Sequence, residues 1–123
     1  MFAGTNTLYS LAKKYKIKTA FGSDLLFSSD QATRQGVLTH LRRWYDNVDI
    51  LRMATSVNGE LLSLSGPRNP YPGKLGVVEE DALADLLVVN GDPIADVALL
   101  EKPDANLAMI MEGGRIYKDL RKG

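Results

Sequence analysis

Few residue types in this chain can do chemistry, and they stand far apart. Asp24 follows Gly22-Ser23 at the end of a short β-rich run, Ile17-Lys18-Thr19-Ala20-Phe21, so a carboxylate opens the loop after a candidate strand. A carboxylate so placed can accept a proton or ligate a divalent cation. On spacing alone it is more often a turn or helix-capping residue. The single histidine, His40, has only Arg43 as a titratable neighbour one helical turn away, and it reads as a helical surface residue without chemistry. Glu79-Glu80-Asp81 are consecutive acids whose side chains do not converge on one ion, so they read as a solvated loop. Cysteine is absent, which removes disulfides and thiolate metal sites from consideration.

Elements around these groups must place them. Leu8, Leu11, Ala12 and Tyr15 recur at helical spacing, with Lys13, Lys14 and Lys16 elsewhere, which predicts an amphipathic helix capped by Thr5 or Asn6. Ile17 to Phe21 then predicts a strand, giving an αβ unit with polar residues at the strand's C-terminal end. Ser28-Ser29-Asp30 supplies caps for a second helix, whose apolar stripe is Val37, Leu38, Leu41, Trp44, Tyr45 and Val48. Because Trp44 and Tyr45 continue that stripe, they read as core or interface side chains rather than a binding platform. A third helix is expected from about Asp49, with Ile50, Met53, Ala54 and Val57 inward, and with Leu61 and Leu62 extending it beyond a break.

The character changes at Gly66-Pro67-Arg68-Asn69-Pro70-Tyr71-Pro72-Gly73, where prolines lack amide donors and glycines favour turns, so no helix is expected and a boundary falls nearby. That stretch also lacks the lysine and helix start of a phosphate-binding loop. Beyond it, Leu86-Leu87-Val88-Val89 and Leu107 to Met111 read as strands, and Gly113-Gly114 before Arg115-Ile116-Tyr117 is a hairpin signal. Pro93 to Leu100 reads as a short helical turn between them. Asp85, Gly91 and Pro93 are expected to shape the backbone rather than do chemistry.

The 123 residues, 45% hydrophobic and 24% charged, suit one ordinary soluble domain. A formal net charge of zero provides no global field for phosphate backbones or acidic lipid, so nucleic acid and membrane are not expected partners. No apolar run approaches the roughly 20 residues that span a bilayer, and the start has neither a basic segment nor an apolar signal core, so the cytoplasm is the default compartment.

Taken in order, Gly22-Ser23-Asp24, Ala54-Thr55-Ser56-Val57-Asn58, Ala84-Asp85-Leu86-Leu87-Val88-Val89-Asn90-Gly91-Asp92-Pro93 and Met111-Glu112-Gly113-Gly114-Arg115-Ile116 form a series. That series resembles the closing segments of the metal-dependent amidohydrolase superfamily, within it the imidazolonepropionase and Xaa-Pro dipeptidase group. Asn58 stands one residue later than the family spacing. The likeness runs from about Leu8 to Tyr117. It implies an α/β plus β fold: residues 1–64 as the last αβα part of a TIM-like (β/α)8 barrel, and residues 65–123 as part of a small composite β-sandwich. Active sites of that barrel form at the C-terminal ends of the strands. The resemblance thus implies that Asp24 ligates a divalent metal, commonly zinc, and takes a proton from the water that attacks a C–N substrate. A cation lowers the pKa of its water toward about 7, which makes such a transfer feasible.

The family's other ligands are a His-x-His after the first strand, a carboxylated lysine or glutamate after the fourth, and histidines after the fifth and sixth. None is in this sequence, and His40 matches none of them. One carboxylate cannot hold a catalytic zinc, which takes three protein ligands plus water. The chain alone is therefore expected to hold no active-site metal and to hydrolyse nothing. A lone strand at Lys18 to Phe21 would also leave both edges open, so the expected partner is the missing N-terminal part of the barrel or a second copy in a homo-oligomer. The alternative is a non-catalytic interaction module derived from an amidohydrolase, oligomerising through Trp44, Tyr45 and the former barrel face.

Overall fold

Residues 2–23 and 36–121 are described by a computed structural model. The expected caps Ser28-Ser29-Asp30 lie outside the described residues. The first helix, α1, spans Phe2–Lys14 and so begins before Thr5 and Asn6, which lie within it rather than capping it. It closes with Lys16 at positive φ (52°), where Lys16 N–H donates to Lys13 O (3.1 Å) and Ile17 N–H to Ala12 O (2.8 Å). These paired bonds satisfy carbonyls that the helix end would leave open.

The face α1 buries differs from the one expected. Ala12 is buried and Tyr9 packs against the core, while Leu8, Leu11 and Tyr15 are 63%, 45% and 64% exposed. Aromatic docking decides the rotation: the Tyr9 ring lies 4.6 Å from Trp44 and meets Tyr45 edge-on at 5.6 Å. Trp44 Nε1–H donates to Asn6 Oδ1 (2.9 Å) and Lys13 Nζ to Trp44 O (2.7 Å), so polar bonds fix the same face. Such pairs add about 0.5–1.5 kcal/mol beyond area burial.

The expected strand at Ile17–Phe21 does not form: no described residue there joins a ladder, because a strand requires a partner and no described strand lies beside it. The second helix ends earlier than expected. A turn of α-helix, α2 (Gly36–Thr39), runs into a 3-10 turn at His40–Arg43. Asp46 then starts α3 (Asn47–Ala54) by accepting from Asp49 N–H at 2.8 Å, which places Val48 in α3 rather than in the preceding stripe. The break after α3 falls at Thr55, and α4 (Ser56–Ser63) carries Leu61 and Leu62 as expected. Gly66–Arg68 does form one 3-10 turn, against expectation; Pro67 fits because its missing N–H is not needed in a first turn.

The sheet is antiparallel with order β1 (Leu86–Val89), β2 (Leu107–Glu112), β3 (Arg115–Asp119). Leu86 faces Met111 across the first pair and Glu112 faces Arg115 across the second. Gly113 and Gly114 have φ of 54° and 80°, the positive pair a tight hairpin needs. Between β1 and β2, Asp96 accepts from Ala98 N–H (3.0 Å) and starts a 3-10 turn at Val97–Glu101, followed by α5 (Pro103–Asn106). The described architecture is thus mixed: helices with one small three-stranded antiparallel sheet. None of the described helices is long and apolar enough to cross a membrane.

Leu41, Ile50, Met53 and Val97 form the core, with Ile50 and Val97 fully buried. Asn47 Nδ2 donates to Ile94 O (3.0 Å) and Ala95 O (2.8 Å), which holds the segment that delivers Val97. This core joins side chains from both sides of residue 64. Removing Ile50 side-chain atoms should leave a cavity, and Ile50→Ala is expected to cost about 2–5 kcal/mol in urea unfolding. Gly59 offers a sharper contrast. A Cβ there would lie 2.2 Å from Leu75 O, whereas one at Gly4 meets nothing within 4 Å. Gly59→Ala should destabilise by about 1–3 kcal/mol, and Gly4→Ala should be neutral or stabilise by up to about 1 kcal/mol; thermal melts of both variants check the pair.

Candidate functional site

The described feature that precedes the candidate carboxylate in sequence is the peptide of Phe21. With no strand beside it among the described residues, this half-buried peptide satisfies its polar groups otherwise. Phe21 N–H donates to Asn58 Oδ1 (3.0 Å), and Asn58 Nδ2 donates back to Phe21 O (3.0 Å). Only one orientation of the carboxamide serves both groups, because the peptide offers one donor and one acceptor. Phe21 N–H also lies 3.3 Å from Met53 O, at the end of α3.

Asn58 can reach Phe21 because the start of α4 is held by backbone contacts that exclude side chains. Gly59 presses against Leu75 O, and Gly76, at φ +74°, sits where a Cβ would fall 2.1 Å from Thr55 O. Thr55 itself leaves the helical region (φ −121°, ψ −92°) and its hydroxyl donates to Leu51 O at 2.7 Å. Farther out, Lys18 Nζ meets both carboxylate oxygens of Glu60 at 2.6 and 2.7 Å, an exposed pair that adds little energy. The helix break and the extended segment are thus joined at two places.

Gly22 and Ser23 are exposed, and Asp24, the expected catalytic and metal-ligating residue, follows them outside the described residues. His40 is exposed in its 3-10 turn. Among the acids of the 79–81 loop, all exposed, Glu79 pairs with Lys74. Asp85 Oδ1 accepts from Gly113 N–H at 2.6 Å, and Gly114 N–H donates to Ala84 O at 3.0 Å. Asp85 therefore latches the entrance of β1 to the hairpin turn. Among the described residues no group of three or more His, Cys, Asp or Glu could hold a metal ion, so the described residues by themselves do not fit a catalytic metal.

An open groove of about 390 Å³ between α1, residues 16–19 and α3 carries Lys13, Lys16, Lys18 and Arg52. Lys13 is bound to Trp44 O, Lys18 to Glu60, and Arg52 lies 3.9 Å from Asp49. No nucleophile and base converge there. The residue whose structural part sequence reasoning did not foresee is Asn58, and the signal available for it is the Ala54-to-Asn58 series.

No protein-family model matches the chain, and no curated protein sequence is significantly similar to it. Solved structures are similar. A crystal structure described as an amidohydrolase matches 92% of this chain at 26% identity with a TM-score of 0.77. Another, described as a prolidase complexed with N-methylphosphonate-L-proline, matches 92% at 26% identity and 0.75, and one described as an uncharacterized protein matches 92% at 27% and 0.75. The chain spans about a quarter of those chains, 25% of the amidohydrolase and 26% of the other two. Together with the ordered series from Gly22 to Ile116, these likenesses support placing the chain in the amidohydrolase superfamily, as a C-terminal portion of that fold.

Proposed function

We propose that this chain is the C-terminal part of a metal-dependent amidohydrolase that cleaves C–N bonds, and that Asp24 is its one contribution to the metal site. The observation that supports this most is the likeness to amidohydrolase and prolidase structures over 92% of the chain. In this reading residues 1–64 are the closing αβα part of a TIM-like barrel and residues 65–123 part of a small β-sandwich. The fastening of Phe21, three residues before Asp24, supports a segment built to present a side chain beyond it. Xaa-Pro dipeptides are the substrate class favoured, because one similar structure is a prolidase complexed with a proline-containing phosphonate.

A divalent metal, zinc in this proposal, would polarise the substrate carbonyl and acidify water when bound. Asp24 would supply one ligand and accept a proton. The other ligands lie outside the described residues, in the remainder of a barrel, so this chain alone is inactive. The partner in this reading is that remainder, or a second copy that covers the same apolar surface. The exposed Leu8, Leu11, Tyr15 and Ile17 favour a covering partner of either kind.

Purified alone and supplied with zinc, the chain should release no proline from Xaa-Pro dipeptides and retain less than stoichiometric metal by elemental analysis. In an assembly containing the remainder of the barrel, Asp24→Asn should lower the hydrolysis rate by about 10²–10⁴. Zinc-dependent turnover by the lone chain, or full activity of Asp24→Asn in the assembly, would remove this reading.

A further inference from the structure

We propose that Asn90 is a site of spontaneous deamidation, and that its isoaspartyl product loosens the turn that carries Val97 into the core. The chain holds two Asn-Gly pairs, Asn58-Gly59 and Asn90-Gly91, among its six asparagines. Such pairs are the reactive ones, because the amide nitrogen that follows the asparagine must reach its Cγ, and glycine has no side chain to obstruct the approach. Asn69 precedes Pro70, which has no amide proton, and Asn6, Asn47 and Asn106 precede Thr7, Val48 and Leu107, whose side chains crowd the amide.

The structure separates the two pairs. At Asn58 the carboxamide bonds Phe21 N–H and O at 3.0 Å each, and Gly59 N–H donates to Thr55 O at 2.9 Å. Gly59 is also buried, pressed against Leu75 O, so the pair cannot turn toward each other without displacing α4. Asn90 and Gly91 are instead both exposed, in the bend after β1. Asn90 N–H donates to Asn106 O at 2.7 Å, but among the described residues nothing bonds the Asn90 carboxamide or accepts from Gly91 N–H. The turn itself requires the reactive neighbour: Gly91 has φ +125°, and a Cβ there would lie 2.8 Å from Leu99 Cδ1, so a residue whose side chain would slow the reaction does not fit.

The Gly91 amide nitrogen, on losing its proton to a solvent base, attacks Asn90 Cγ. The new N–C bond closes a succinimide ring as the Cγ–Nδ2 bond breaks and ammonia leaves. Water then opens the ring at either carbonyl, with no change of oxidation state. Opening at Cγ gives aspartate on an ordinary backbone, and opening at the main-chain carbonyl gives isoaspartate, which adds a carbon to the backbone. Both products place a new negative charge two positions before Asp92. Only isoaspartate lengthens the chain between fixed points, which are Asn90 N–H at Asn106 O and, beyond the bend, Ile94 O and Ala95 O at Asn47 Nδ2. Gly91 packs on Leu99 between those points, so the extra carbon displaces the segment that leads to the fully buried Val97.

The test keeps the unmutated full chain in mildly alkaline buffer, folded in one series and unfolded by guanidinium in another, and assigns deamidation to individual asparagines by fragment mass spectrometry. In the folded chain Asn90 should convert at least about tenfold faster than Asn58, which must first open its hydrogen bonds, whereas the two should convert at similar rates when unfolded. The isoaspartate-bearing chain, separated chromatographically, should melt below both the unmutated chain and Asn90→Asp, which carries the same charge without the extra carbon. Equal rates at Asn58 and Asn90 in the folded chain, the same preference for Asn90 in the unfolded chain, or an Asn90 that reacts only when unfolded overturns the site. Melting of the isoaspartate chain together with Asn90→Asp overturns its effect on the core.

Discussion

A half-buried peptide without a strand beside it still has to satisfy one donor and one acceptor, and leaving either open costs about 1–3 kcal/mol. At Phe21 the Asn58 carboxamide meets the carbonyl and shares the N–H with Met53 O. The dependency runs outward from there. Asn58 is in reach only because α4 starts afresh at Ser56, and α4 sits where it does only because Gly59 and Gly76 allow backbone to touch backbone. A methyl group at either glycine would push the helix away from the 73–76 segment. The polar pairing at Phe21 and the backbone contact of Gly59 are thus two sides of one constraint.

The same economy governs the stretch from Ala84 to Val97. The residues of the Ala84-to-Pro93 series are turn and latch devices in this structure. Asp85 ties the strand entrance to Gly113, Gly91 at φ +125° lets Leu99 approach to within 2.8 Å of where a Cβ would stand, and Asp92 accepts from Ile94 N–H at 2.9 Å. Their combined effect is to bring Val97 into the core beside Ile50. Conformation, rather than reactivity, explains why those residue types occur there, and one burial joins the sheet-bearing half to the helices.

What could be read in advance was what depends on near neighbours. The Gly113-Gly114 hairpin, the strands it joins and the turn from Pro93 to Leu100 follow from local φ preferences and alternation, and they occur where expected. The start of α3 was obscured because Trp44, Tyr45 and Val48 continue an apolar stripe across Asp46, and the stripe gave no weight to a capping carboxylate. The absent strand at Ile17–Phe21 is a nonlocal matter: β-branched residues favour extended backbone, but only a partner makes a strand. Asn58 stands one residue off the family spacing, and its two hydrogen bonds to Phe21 span 37 positions, which no local pattern encodes. The reading of Asp24 as a site carboxylate rests on the family resemblance alone, since a carboxylate after Gly-Ser is otherwise an ordinary turn residue.

Helix α1 shows how one sequence pattern can serve two surfaces. Its residues at 5, 9 and 12 face the body, and those at 8, 11 and 15 form a second stripe one helical face away. Both stripes satisfy the spacing of an amphipathic helix. Energetics selects between them: Tyr9 gains two ring contacts and sits beside the Asn6–Trp44 hydrogen bond, while Leu8, Leu11 and Tyr15 stay exposed. The periodicity that sequence reading assigned to an interior face therefore marks a face directed outward. Together with the exposed Ile17 it forms a row of large apolar side chains of the kind that soluble monomers seldom leave uncovered. The row runs from α1 to Ile17, at the start of the extended segment whose last peptide, at Phe21, Asn58 holds.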